Sequence, residues 1–487
     1  MLYTKYGYAF ERPGVAAVMN LADLLLQHPF AAGDDLLHDL HRSVTAGDAR
    51  ARAQQIALAL RDAGVAPHKP VAVCLEDGIE TVLTMFGVWL AGAVFVPVNP
   101  RVPEPERDEI VRAVRPAAVV TDAGTIARRE GAVTHESDAA FVLWTSGTTG
   151  RPKAILHTHT AYFELLDRVL GNLRGSSRSG TPPTPNLIPV ALTLNAGIYN
   201  VLFGLRAGAA IVVMGRFDTR TFAELVRRFG IRSTVLPPAA MAMLSDDAAV
   251  TDLAPLRYVR SITAPLSPLQ ARRFVDKFGV TVLNGYGQAE IGEVIGWTAA
   301  DAKEHPEKLG AVGRAHPGVD VRIVDDAGTA LGTDEVGELL VRPPRMAAGY
   351  ADGSSLSERV DGDGFLRTGD LARVDDDGFV WIEGRVGDVI NRGGNKVFPD
   401  HVEEVLRLAP GVDDVAVVGA PDARLGEVPV AFVVGDADDA TLERVCREHL
   451  VAYKVPVAYH HVAALPRSDV GKVLRRDLAA RLAGSRA

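Results

Sequence analysis

The chain has 487 residues, more than a single hydrophobic core organises, so at least two domains are expected. Charged residues make up 23% and the net charge is −9, with no block of Lys and Arg, which argues against nucleic acid as a partner. Two cysteines, Cys74 and Cys446, are too few for a disulfide scaffold and lack metal-ligand spacing, which fits a reducing, cytoplasmic setting.

In chain order, apolar strands alternate with amphipathic helices through the first two-thirds. Ala49–Ala63 reads as a helix and Val71–Cys74 as a strand, with another helix beginning near Ile79. The uncharged run from Val82 to Val98 is short for a membrane span and is broken by Gly87, Gly92 and Pro97. It is expected to be a helix ending at Ala91-Gly92 and then a buried strand from Ala93 to Val98. No membrane insertion is expected, and the N-terminus has no basic region followed by an apolar core. Helix Glu106–Val114 and strands at Ala117–Thr121, Ala210–Met214 and Thr234–Leu236 follow, with a helix at Thr219–Phe229. That rhythm predicts stacked βαβ units. Residues 175–186 are rich in Gly, Ser, Thr and Pro and read as a loop. Asp361–Gly364 and Asp375–Gly378 read as hairpin turns of a β-rich subdomain. After Arg385 a small α/β unit begins, with helices near His401–Leu408 and Thr441–His449 and strands at Asp414–Val418 and Val428–Val434.

The densest signal lies between an apolar run, Phe141 to Trp144, and a second one beginning at Ala154. Thr145, Ser146, Gly147, Thr148, Thr149, Gly150 and Lys153 gather four hydroxyls, two glycines and an ammonium within nine positions. A strand delivering such a loop can wrap a polyphosphate, because glycine lets backbone N–H groups converge and the hydroxyls rotate to fit. An ordinary surface turn rarely holds so many donors with a lysine. The spacing is not that of the GxxxxGK[ST] loop, which counts against a phosphate-loop kinase or ATPase.

This loop resembles the phosphate-binding signature of the adenylate-forming enzymes: acyl-CoA synthetases, aryl-CoA ligases, luciferases and peptide-synthetase adenylation domains. Further matches follow in that family's order from about Arg50 to Arg475. The resemblance implies an α/β fold: a large N-terminal domain (1–384) of stacked βαβ sheets with a β-rich subdomain, then a small mobile α+β domain (385–487). Asn284, Gly285, Tyr286, Gly287 and Glu290 resemble the segment in which the tyrosine lies against adenine and the glutamate helps hold Mg²⁺, a hard ion suited to carboxylate oxygen. Ala289 stands where the family has a threonine, so one hydroxyl contact is missing. Ser261, Ile262, Thr263, Ala264, Pro265 and Leu266 resemble a segment used against the nucleotide or acyl group; a buried strand end is an equal reading. Ile262 and Thr263 replace two glycines there.

Thr368, Gly369 and Asp370 resemble the motif whose aspartate receives the ribose hydroxyls, and charged acceptors make the stronger hydrogen bonds. Gly384 and Arg385 resemble the pair that closes the large domain. Arg392, Gly393 and Gly394 resemble the segment that turns in for the thioester step and borders coenzyme A. The family hinge carries Asp or Lys where this chain has Gly387, which permits rotation but removes a polar latch. Lys472 resembles the lysine that meets the substrate carboxylate and α-phosphate. His157 and His159 alternate, but without a third ligand they read as strand or loop residues.

The implied reaction activates a carboxylic acid with MgATP as acyl-AMP and passes the acyl group to coenzyme A. Positioning and charge neutralisation dominate the first step. Leu192, Asn195, Gly197 and Ala239 are candidates for a largely apolar acyl pocket suited to a fatty, aryl or alicyclic acid. No acid stands where peptide-synthetase domains hold a substrate amine, which disfavours amino acids. The alternatives are an acyl carrier protein as acceptor, a specialised member performing one half-reaction, and a phosphate-loop ATPase.

Overall fold

A computed structural model describes residues 19–122, 125–145, 153–174, 183–262, 266, 268–347, 349–350, 355–467 and 473–484. The uncharged run splits as expected into helix Ile79–Leu90 and strand Val94–Pro97, both buried. A strand apolar on both faces belongs inside a parallel sheet, and this one lies at the centre of seven. Their order is Gly349–Tyr350, Lys153–Thr158, Ala139–Thr145, Val94–Pro97, Pro70–Val73, Ala118–Asp122 and Thr125–Arg128. The three pairings among the inner strands are parallel, and the outer three are antiparallel. Among the described residues, no helix is long and apolar enough to cross a membrane.

A second sheet runs Ser43–Thr45, Asp35–His38, Ile211–Val213 and Asn186–Ile188. Its last strand lies beside the parallel trio Ser233–Leu236, Tyr258–Ser261 and Thr281–Leu283, and the Thr234 hydroxyl donates across to the Leu187 carbonyl at 2.9 Å. Helices Ala46–Asp62, Ile79–Leu90 and Asn195–Arg206 share one core with both the seven-stranded and the four-stranded sheet. Trp89 is its anchor, fully buried, with its indole N–H donating to the Ala140 carbonyl at 2.7 Å.

The β-rich part is antiparallel throughout. Gly285–Gln288, Gly292–Gly296 and Arg314–Ala315 form one sheet; Asp320–Val324, Gly337–Arg342, Leu366–Val374 and Val380–Arg385 form the next. Both predicted turns form. Asp361 and Asp375 each accept from the backbone N–H four residues on, which closes the turn through the side chain.

From Ile390 onward the chain builds its own core from Val402, Leu406, Val415, Val433, Leu442 and Cys446. The helices there are Pro399–Leu406, Asp439–His449 and Arg475–Gly484. The two main strands run Val412–Asp422 and Gly426–Gly435, longer than the periodicity suggested. Pairing persists to Asp422 and Gly426 because the reversal is tight, so polar ends stay in the ladder. Cys74 and Cys446 are buried free thiols. The expected loop begins in residues 175–182, which lie outside the described residues, and its end, Asn186, starts a strand.

Candidate active site

Strands Ala139–Thr145 and Lys153–Thr158 pair antiparallel, and the register sets Thr145 opposite Lys153. The two ends of the hydroxyl-rich segment are thus held at one sheet position. Ser146, Gly147, Thr148, Thr149 and Gly150 lie outside the described residues, as do Thr263, Ala264, Pro265 and Lys472. The two histidines that follow are packed rather than paired. His157 stacks on Phe141 with centroids 4.6 Å apart, and burial pushes its pKa down to about 3. His159 accepts the Leu21 N–H at 3.1 Å, and burial lowers it to about 4.

The motifs from distant parts of the chain meet at Asp370. Its carboxylate is nearly fully buried, on strand Leu366–Val374. Oδ2 accepts from the Tyr286 hydroxyl at 2.6 Å and from Gln288 Nε2 at 3.0 Å. Oδ1 takes Arg385 Nε at 3.1 Å. A carboxylate offers about four acceptor positions, so three are occupied and a ribose diol would share or displace these donors. The Thr368 hydroxyl accepts the Asp370 N–H at 3.1 Å and donates to the Leu339 carbonyl at 2.7 Å, fixing the aspartate from behind. Burial and the Asp370 charge hold the Tyr286 phenol well above its ordinary range.

Tyr286 and Gln288 alternate along strand Gly285–Gln288 and so share a face. Gly285 and Gly287 pair with strand Gly292–Gly296, and the Asn284 side chain accepts the Gly285 N–H at 3.1 Å. Arg359, which no motif marked, joins this strand to Glu290. Its guanidinium donates to Glu290 Oε1 at 2.7 Å, to Gln288 Oε1 at 3.0 Å and to the Arg367 carbonyl at 3.0 Å. Burial works against the Arg359 charge, and Glu290 and Tyr350 more than offset it, so its pKa is raised. The only early signal for Gln288 was its place inside the motif; Arg359 gave none.

The other candidates lie apart from this cluster. Arg392 and Asn395 face each other across a two-residue hairpin whose corner is Gly393 and Gly394, with φ of 57° and 87°. Left-handed backbone at both corner positions selects glycine. Arg392 spends its Nη1 on the Tyr453 and Val455 carbonyls, at 2.7 and 3.3 Å. Gly387 lies in the short turn Val386–Asp388, and a Cβ there would meet nothing within 4 Å.

A cavity of about 300 Å³ opens between strand Lys153–Thr158, helix His159–Arg174 and the segment after Glu290. Thr158, Tyr162, Arg168, Ala289 and Glu290 are on its wall. Asn195 lines it too, accepting the Tyr162 hydroxyl at 2.8 Å. Leu192 is packed in the core and its N–H donates to Asp77. Gly197 lies against the backbone at Ala191, and Ala239 is exposed on helix Pro238–Asp246. Among the described residues no three His, Cys, Asp or Glu side chains gather as a metal site. Glu290 and Glu164 are the two carboxylates on the cavity wall among the described residues. That number suits Mg²⁺, which binds through one or two carboxylates together with substrate phosphates.

Comparison with known proteins agrees with this architecture. The AMP-binding enzyme family matches residues 29–134 and 127–351, and the AMP-binding enzyme C-terminal domain matches residues 401–472. The chain belongs to this family, the adenylate-forming enzymes, and is an enzyme of the ATP-dependent, AMP-forming acyl-CoA and aryl-CoA ligase class. It is 32% identical over 486 residues to 4-coumarate–CoA ligase 5 of Oryza sativa subsp. japonica, spanning 90% of this chain and 89% of that protein. It is 27% identical over 473 residues to long-chain-fatty-acid–CoA ligase FadD13 of Mycobacterium tuberculosis (strain ATCC 25618 / H37Rv), spanning 89% and 92%. Among solved structures, amide bond synthetase McbA from Marinactinospora thermotolerans superposes with a TM-score of 0.82 at 26% identity, covering 95% of this chain and 99% of that one.

Proposed function

We propose that the protein activates a carboxylic acid with ATP as acyl-AMP, releasing pyrophosphate, and then transfers the acyl group to the thiol of coenzyme A, releasing AMP. The observation that carries the reading is the buried Asp370, ringed by Tyr286, Gln288 and Arg385 and linked through Gln288 and Arg359 to Glu290 on the cavity wall. In this reading Asp370 and Arg385 serve the ribose side and Tyr286 the adenine. Ser146, Gly147, Thr148, Thr149, Gly150 and Lys153 cradle the phosphates, with Thr145 at the edge of that loop and Ala264 and Pro265 beside the nucleotide. Lys472 meets the reacting carboxylate. Glu290 would hold a magnesium ion, which when bound neutralises phosphate charge.

The separate core from Ile390 onward supports two domains, 1–384 and 385–487, with rotation near Gly387 presenting Arg392, Gly393 and Gly394 for the thioester step. The two buried free thiols fit a cytoplasmic location.

The test separates the half-reactions. MgATP and a panel of acids should release pyrophosphate, and supplied acyl-AMP with coenzyme A should give thioester. ADP and inorganic phosphate instead would mean a kinase or ATPase. Pyrophosphate without thioester would redirect the search to an acyl carrier protein.

A further inference from the structure

The cavity beside Glu290 carries one cation with no ion-pair partner among the described residues. Arg168, on helix His159–Arg174, lines it together with Tyr162, Leu165, Asn195, Ile291 and Met346. Its Nε is buried without a partner, and among the described residues Arg168 forms no ion pair. The neighbouring carboxylates are already engaged. Glu293 is held by Arg260 at 3.1 Å and by His316 at 3.3 Å. Glu164 is paired with Arg345, and Glu290 with Arg359 at 2.7 Å. Three carboxylates thus have three guanidiniums, and Arg168 is the fourth. Its charge acts on Glu293 and Tyr199 without a bond to either. The Tyr199 hydroxyl is itself buried with no partner.

A buried guanidinium nitrogen without a partner is costly, and so is an unpaired buried hydroxyl. The guanidinium fork matches a carboxylate in geometry as well as charge. We propose that Arg168, with Tyr199 beside it, receives a second acidic group of the acid being activated, so that the substrate is a small acid bearing another carboxylate at its far end. A volume of about 300 Å³ is at the small end of ligand pockets, which suits a short or aryl skeleton over a long alkyl chain. An apolar acid would seal Arg168 from water and leave it unanswered. This inference rests on the proposed function and on the cavity, with Asn195 on its wall, taking the acyl group.

The experiment uses acids paired by skeleton: benzoate with isophthalate, and hexanoate with adipate. Pyrophosphate release gives kcat/KM, and calorimetric binding in the presence of AMP reads the pocket without the chemistry. The wild type should favour the second member of each pair by about tenfold or more. Arg168→Met should lose about a hundredfold on the dicarboxylic acids, the range seen when one partner of a buried charge pair is truncated, with little change on the monoacids or in the affinity for ATP. Arg168→Lys should recover part of the loss. Equal use of both members by the wild type overturns the inference, and this comparison needs no variant to fold. Discrimination in binding with no pyrophosphate from any acid would instead overturn the adenylation reading and leave Arg168 its role.

Discussion

Arg359 has no role that the motifs announced, yet it holds the carboxylate proposed for magnesium. The pair is partly buried, with Glu290 at 12% side-chain exposure. Removing the guanidinium would leave Glu290 unanswered and free to turn away from the phosphates. Arg359→Met should therefore raise the magnesium concentration needed for half-maximal pyrophosphate release by about 10- to 100-fold, the usual effect of removing a partner that orients a metal ligand. Thioester formation from supplied acyl-AMP should change far less, and a magnesium titration of both half-reactions checks this. A second residue-scale effect concerns pH. Burial pushes the Asp77 carboxyl up to about 6, while its side chain accepts the Leu192 N–H at 2.8 Å. In the unfolded chain this group ionises near 3.8. Between those values the folded state keeps a proton that the unfolded state has lost. Stability contributed here is thus full below about pH 4, falls as pH rises to about 6, and is flat above. Asp77→Asn keeps the acceptor without the charge. It should match the wild type at pH 4 and exceed it by about 3 kcal/mol at pH 7, an upper figure from the shift, as denaturant midpoints at the two pH values will show.

At the scale of elements, helix Asn195–Arg206 owes its position to Gly197. A Cβ there would stand 2.2 Å from the Ala191 carbonyl oxygen, closer than any real contact. The helix can approach the preceding segment only because that residue has no side chain. Gly197→Ala should cost about 1–3 kcal/mol as an overpacking change. It should also weaken acid binding, because Asn195 on the cavity wall begins the same helix. Thermal denaturation and acid affinity should fall together; a change in affinity alone would mean the glycine lines the pocket directly. The C-terminal helix is held in a different way. Arg475, at its start, pairs with Glu403 at 2.6 Å and also with Asp400 and Asp388, and these carboxylates hold it protonated against burial. This knot ties the chain just after Lys472 to helix Pro399–Leu406.

At the scale of the whole molecule, the proposed division of labour between two domains makes separable predictions. Lys472→Ala should abolish pyrophosphate release from acid and MgATP while sparing thioester formation from acyl-AMP and coenzyme A. Equal loss in both assays would refute a role confined to the first step. Gly387→Ala meets no atom within 4 Å, so folding stability should stay within about 1 kcal/mol of wild type. Only the rate of passing from one half-reaction to the next should fall, as a single-turnover assay would report. His401 against Glu383 at 2.8 Å is a polar contact across this junction that the proposed rotation would break and remake, whereas Arg385 and Asp370 pair on adjacent strands before it.

The sequence by itself determined the alternation of strands and helices, because apolar periodicity is local and the run around Val82–Val98 admits one buried arrangement. It also marked Tyr286, Glu290, Asp370 and Arg385, since each sits in a short motif with its own chemistry. Only the tertiary structure decided what those groups touch. Tyr286 and Asp370 are 84 residues apart, and Glu290 and Arg359 are 69 apart, distances over which no periodicity connects two side chains. The cavity was the least legible feature. Of the four residues proposed for the acyl pocket, Asn195 lines it, while Leu192 fills the core, Gly197 packs on backbone and Ala239 faces solvent. Arg168 falls in no motif of the sequence. Whether such a charge faces water or a closed wall depends on how helices, sheets and loops pack around it, and that is settled only when the whole chain has folded.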